Sequence, residues 1–222
     1  MHSIWLVLAL CTGTLPGVPA SPELSEGSLL FLENCNSVVE WATRGEIGHV
    51  AITFRDGKET WVYEATPGKV RRVTFGEYEQ ELARINEGRK RRDPVKLWVV
   101  SPARQFTAAE TTAMREFLDE QLGRRYSVKN YVVGKPGDGT HCAELAANTL
   151  NRSGRFELEN SHKIHPAKLL TIVEPEYSVK VEHPIGSVAA VEPWYIRWGR
   201  CCSSTSNWCD WSCREAWSFC WE

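Results

Sequence analysis

Two alternating apolar runs joined by a tight turn constrain this chain more than any other feature. Gly48-His-Val-Ala-Ile-Thr-Phe54 and Thr60-Trp-Val-Tyr-Glu-Ala65 each read as a strand, and Arg55-Asp-Gly-Lys58 between them carries the Asp-Gly pair that favours a hairpin. The pattern predicts strands near 48–54 and 60–65 in antiparallel contact, with Val70–Val73 as a third strand. Ser28–Leu32 and Val95–Val100 are apolar runs of strand length, and 178–182 and 187–191 are two further strand candidates.

Helices are announced by their starts. Ser37-Val-Val-Glu40, Thr74-Phe-Gly-Glu77 and Thr107-Ala-Ala-Glu110 have the spacing in which a hydroxyl and a carboxylate satisfy each other's backbone N–H groups. After Thr74, Phe75, Tyr78, Leu82 and Ile85 recur at helical spacing until Gly88; after Thr107, Met114, Phe117, Leu118 and Leu122 do so, with Gly123 as the stop. Residues 165–170 read as a short helical turn. Short strands with segregated helices argue an α+β domain with a small antiparallel sheet packed on helices.

The chemistry concentrates at Gly137-Asp-Gly-Thr-His-Cys-Ala-Glu-Leu-Ala146, where a glycine-rich loop runs into a helix that carries Leu145, Ala146, Thr149 and Leu150 on one face. A cysteine in the first turn meets unpaired N–H groups and the positive end of the helix dipole, which favour the nucleophilic thiolate. His49 interrupts a strand of otherwise apolar residues, and Glu64 follows it fifteen positions later on the next strand. Cys142, His49 and Glu64 are thus candidates for nucleophile, base and orienting carboxylate. Tyr126 before the glycine loop is a candidate substrate or oxyanion contact, with an ordinary core tyrosine as the competing reading. His141 adjoins the nucleophile, and adjacency alone assigns it nothing. Glu144 fits a first-turn carboxylate that complements the dipole.

In this order, Gly27-Ser-Leu-Leu-Phe31, Gly48-His-Val-Ala-Ile52, Val62-Tyr-Glu-Ala65, Cys142-Ala-Glu-Leu145 and His165-Pro-Ala-Lys-Leu169 resemble the permuted papain-like amidases of the YiiX type, a branch of the NlpC superfamily. The resemblance covers residues 27 to about 172. It implies a circularly permuted papain-like domain, with the histidine strand first, the carboxylate strand second and the cysteine helix last. It also implies thiol acyl transfer or hydrolysis at an amide or ester bond, on peptide-like or lipid-acyl substrates, with no metal or organic cofactor. Ser28 and Ala143 stand where the family often has Asp and Ser.

The ends of the chain read differently. Residues 1–20 hold no Lys, Arg, Asp or Glu, and Ile4–Leu10 is apolar before a small-residue exit at Val18-Pro-Ala20. That pattern predicts a secretory signal peptide and a secreted or extracytoplasmic protein, with the domain over 21–193. If Cys142 is kept for chemistry, Cys35, Cys201, Cys202, Cys209, Cys213 and Cys220 remain as an even set of disulfide candidates. Residues 194–222 hold six of the ten tryptophans and five of the eight cysteines. Three uses are open to this tail: a disulfide-stapled clasp, a Trp-rich surface for carbohydrate or a membrane, and, weakest, a zinc site. Asn151-Arg-Ser153 is a glycosylation sequon, and Arg89-Lys-Arg-Arg92 reads as a solvated basic loop. A net charge of −2 gives no indication of nucleic-acid binding. The rival to an enzyme is a catalytically inactive secreted binding module that uses the Trp-rich tail.

Overall fold

The computed structural model describes residues 24–35, 46–89 and 93–187. The expected signal peptide, the short helix after Ser37, most of the basic run at 89–92, nearly all of the 187–191 strand candidate and the tail from 194 lie outside the described residues.

Six strands form one sheet: β1 Leu29–Glu33, β2 Ile47–Asp56, β3 Glu59–Ala65, β4 Val70–Thr74, β5 Lys96–Val100 and β6 Val181–His183. Their spatial order is β4-β3-β2-β1-β5-β6, and every neighbouring pair is antiparallel. The expected hairpin is present and tighter than expected. Asp56 pairs with Glu59, so only Gly57 and Lys58 turn the chain, and Gly57 takes the positive φ of +60° that such a turn demands.

Among the described residues five α-helices accompany the sheet: α1 Phe75–Gly88, α2 Ala108–Gln121, α3 Lys129–Val133, α4 Cys142–Arg152 and α5 Pro166–Val173. Both capping boxes that start described helices form as read, Thr74 with Glu77 and Thr107 with Glu110. Leu122, expected inward, is exposed because α2 ends one residue before it, and Ile85, at helical spacing in α1, is exposed as well. The five-residue α3 was not expected. The strand expected at 178–182 is displaced to Val181–His183, where β5 supplies its pairing.

The two sheet faces carry separate cores. Leu29, Phe31, Val50, Ile52 and Tyr63 meet α2, α4 and α5 through Met114, Leu118, Leu145, Leu150 and Leu169. Leu30, Ala51, Val62, Leu97 and Val99 meet α1 through Tyr78 and Leu82 on the other side. Buried leucines such as Leu145 and Leu150 each stabilise the fold by about 1.5–3 kcal/mol, which holds α4 firmly against β2. An α+β domain with a small antiparallel sheet packed between helices is the result.

A bulge re-aims the start of β2. β1 pairs Leu32 with His49 but Glu33 with Ile47, so the ladder skips Gly48. Ile47 thereby joins Val50 in the larger core, while from His49 onward the strand alternates regularly.

The Cys35 sulfur lies 3.6 Å from the Leu32 carbonyl oxygen, and no disulfide joins any two described residues. The other five candidates, Cys201, Cys202, Cys209, Cys213 and Cys220, lie outside the described residues. Asn151 has a structural use instead of an exposed one: its Nδ2 donates to the Leu158 carbonyl at 3.1 Å and its Oδ1 accepts the Leu158 N–H at 2.7 Å.

Candidate active site

The glycines before Cys142 are there because neighbouring chain lies too close for a side chain. A Cβ on Gly139 would fall 2.4 Å from Ser127 Cβ and 3.2 Å from the Arg125 carbonyl, and one on Gly137 would fall 2.4 Å from Asn130 Oδ1. Backbone bonds use this proximity. Thr140 N–H donates to the Arg125 carbonyl and Ser127 N–H to the Thr140 carbonyl, both at 3.0 Å, so 125–127 runs beside 139–140 like a strand pair. The Arg124 guanidinium then gathers the carbonyls of Gly137, Asp138 and Gly139 at 2.9–3.1 Å, while Asn130 Nδ2 donates to Gly139 at 2.9 Å. The loop is rigidly set before the helix begins.

His141 caps that helix. Its backbone is extended, its Nδ1 accepts the Glu144 N–H at 3.4 Å, and its Nε2–H donates to the His162 carbonyl at 3.1 Å. The Cys142 and Ala143 N–H groups have no intrahelical partner at such a start, so they are donors available to a ligand. Cys142 itself is buried, only 5 % exposed, at the first position of α4.

The three residues singled out by sequence converge. His49 Nε2 lies 2.7 Å from Glu64 Oε2, and the same imidazole hydrogen-bonds Cys142. With Nε2 committed to Glu64, Nδ1 is the ring nitrogen left for the sulfur. Burial alone would push the Cys142 thiol up, but the adjacent His49 charge, then the adjoining His141 ring and the His49 hydrogen bond, bring it well below the usual thiol range. Burial would likewise lower His49; the Cys142 thiolate first and then Glu64 more than reverse that and raise it. Glu64, almost wholly buried, is also disfavoured by desolvation as a carboxylate, yet His49 and Arg71 hold it below the usual carboxylate range. The arrangement is a thiolate–imidazolium pair steadied by a carboxylate, able to attack an electrophilic carbonyl and return a proton to a leaving group.

Arg71 and Glu81 were missed by the sequence reading, and His141 was named there by adjacency without a role. Arg71 stands directly across the β3–β4 ladder from Glu64, and its Nε and Nη2 donate to Glu64 Oε1 at 2.8 and 2.6 Å. An arginine at an inward strand position opposite a buried carboxylate was the available signal, but it needs the register. Tyr126 is buried in the same core as Cys142, in keeping with the competing core reading. Glu144 is buried rather than exposed, with Oε2 3.9 Å from His141 Nε2 and no hydrogen-bond partner. Half-buried Tyr131 presents its ring edge-to-face to His141 at 6.0 Å and to His165 at 6.4 Å, forming an aromatic wall beside the helix start.

These features make an α+β fold with a buried cysteine and glutamate and a half-buried histidine at one helix start. A solved structure described as the metalloprotein yiiX from Escherichia coli O157:H7, DUF1105, matches with a TM-score of 0.52 and 14 % identity, over 73 % of this chain and 98 % of that one. No protein-family model matches the chain, and no curated protein sequence does. That neighbour is described as a metalloprotein. Among the described residues here, no group of three or more His, Cys, Asp or Glu side chains is placed to hold a metal ion. The His49 and Glu64 donor atoms are spent on each other and on Arg71. Among the described residues no helix is long and apolar enough to cross a membrane.

Proposed function

We propose that this chain is a cysteine-dependent hydrolase or acyltransferase acting on an amide or ester bond, built on a circularly permuted papain-like domain of the NlpC type. One observation carries the reading: His49 links Glu64 on one side to Cys142 on the other, at the buried start of α4. A YiiX-like fold is compatible with hydrolytic chemistry, and the site supplies the parts.

The Cys142 thiolate attacks the carbonyl carbon, and the pair of electrons displaced onto oxygen is met by the N–H groups at the start of α4. The tetrahedral intermediate collapses as the His49 imidazolium gives its proton to the departing amine or alcohol, leaving a thioester on Cys142. Neutral His49 then takes a proton from water or another acceptor as it attacks the thioester, and the thiolate leaves. Glu64 stabilises the charged ring in each cycle and fixes its orientation. The leader at 1–20 supports an extracytoplasmic setting for this chemistry.

Incubation with a p-nitrophenyl acyl ester, followed by peptide mass analysis, tests the reading. The expected result is an acyl adduct on Cys142 that is absent in Cys142→Ala and strongly reduced in His49→Ala. An unacylated Cys142 in folded protein, under conditions that acylate a free thiol peptide, would overturn it.

A further inference from the structure

The His49–Glu64 pair is the middle of a longer chain of charges. Glu64 divides its oxygens: Oε2 takes His49 Nε2–H at 2.7 Å, and Oε1 takes both Nε–H and Nη2–H of Arg71. The far side of the same guanidinium reaches α1, where Nη1 and Nη2 meet Glu81 Oε1 and Oε2 at 3.1 and 2.6 Å. Register explains the alignment. Glu64 and Arg71 are directly opposed across β3 and β4, on the sheet face that α1 covers.

A planar fork on one carboxylate oxygen fixes more than charge. It sets the plane of the carboxylate, and that plane decides where the second oxygen points. Without the fork, a carboxylate only 3 % exposed would keep one partner, free rotation about its last bond, and a strong tendency to take a proton. The titratable groups that face Glu64 are His49 on β2, Arg71 on β4, and Glu81 and Tyr78 on α1; Cys142 and His141 of α4 face His49 or the thiol. Arg71 is the cation that touches Glu64 from the side away from the nucleophile.

We propose that Arg71 is a positioning residue for the thiol chemistry, its guanidinium fork holding the Glu64 carboxylate in the plane that aims Oε2 at His49, with Glu81 anchoring the fork from α1. This inference rests on the Cys142 reading above. A merely structural tie between α1 and the sheet would use the same contacts, so the test must read the thiol and not stability alone.

The experiment is the rate of iodoacetamide alkylation at Cys142 against pH in the wild type, Arg71→Met, Arg71→Lys and Glu81→Gln, with thermal melts of each. The expected result is that Arg71→Met moves the acid limb up by about one unit from the wild-type midpoint of about 5, slowing alkylation about twofold at pH 6 and about tenfold at pH 4, as a mis-aimed Glu64 supports the imidazolium less. Arg71→Lys keeps the charge but has no fork, and moves the limb in the same direction. Glu81→Gln does so to a smaller extent; if charge alone mattered, loss of this anion would move the limb down instead. Profiles of Arg71→Met or Arg71→Lys that superpose on the wild type, whatever happens to the melting temperature, would overturn the inference. A wild type with no lowered acid limb at all would remove the thiolate reading and this inference with it, a result readily told apart from the former.

Discussion

Removing the sulfur should change how stability depends on pH, and the direction follows from counting protons. Across neutral pH the folded protein holds a Cys142 thiolate and a His49 imidazolium, one proton on the pair. Between the ordinary imidazole value of 6.5 and the ordinary thiol value of 9.0, the unfolded chain holds a neutral ring and a protonated thiol, again one proton. The pair therefore adds no slope in that window. Below it the unfolded imidazole binds a second proton, so stability falls as pH falls. Above it the unfolded thiol loses its proton while the folded ring keeps one, so stability falls as pH rises. Each limb costs about 1.4 kcal/mol per pH unit.

In Cys142→Ala the thiol proton vanishes from both states, and the Glu64 hydrogen bond and charge are what remain to hold the proton on His49 against burial. A raised imidazole contributes stability that is complete below the unfolded value of 6.5 and is lost as pH rises through the folded value. The variant should therefore lose stability from pH 6.5 upward, at as much as about 1.4 kcal/mol per unit, where the wild type is flat. Over pH 7 to 8.5 the two curves should separate by up to about 2 kcal/mol. Urea denaturation of both proteins in parallel buffers measures this, and their difference cancels the groups they share, such as Glu33 and Glu110. Parallel curves between pH 6.5 and 9, with an NMR titration showing His49 still charged in folded Cys142→Ala, would refute the buried ion pair, because they would mean that the folded sulfur holds its proton just as the unfolded one does.

Two further outcomes follow from the same contacts. Glu64→Gln leaves His49 and Arg71 facing a neutral amide in a buried site, and since Arg71 retains Glu81 the loss should sit near the low end for a broken buried pair, about 3 kcal/mol by denaturant unfolding; an unchanged midpoint would mean the carboxylate carries no charge in the fold. Gly139→Ala forces a methyl group against Ser127 and the Arg125 carbonyl, which should cost about 1–3 kcal/mol and slow Cys142 alkylation as the loop moves; alkylation at the wild-type rate would show that the loop does not set the nucleophile.

Much of the site was legible because its parts announce themselves locally. A cysteine after a glycine-rich loop, a histidine in an apolar strand and a glutamate in the next strand are visible without any tertiary knowledge, and the structure brings all three together. Capping boxes at Thr74 and Thr107 were equally local. What escaped depends on register or on cross-chain contact. Arg71 is ordinary surface chemistry until the β3–β4 ladder sets it opposite Glu64. The Gly48 bulge that sends Ile47 into the same core as Val50 leaves no mark in a run that reads as regular alternation. His141 adjoins Cys142 in sequence, but its capping role depends on the His162 carbonyl holding its ring. Ile85 and Leu122 fit a helical period yet face water, since period shows which residues share a face and not how far the neighbouring layer extends.

The central claim is an activated thiolate at Cys142 maintained by His49. Iodoacetamide labelling of the folded protein across pH, read residue by residue by mass spectrometry in the wild type and in His49→Ala, tests it most directly. The account predicts fast labelling of Cys142 below about pH 7 in the wild type and its loss in His49→Ala. A Cys142 that reacts only as pH approaches the ordinary thiol value, or equally fast without His49, would contradict it.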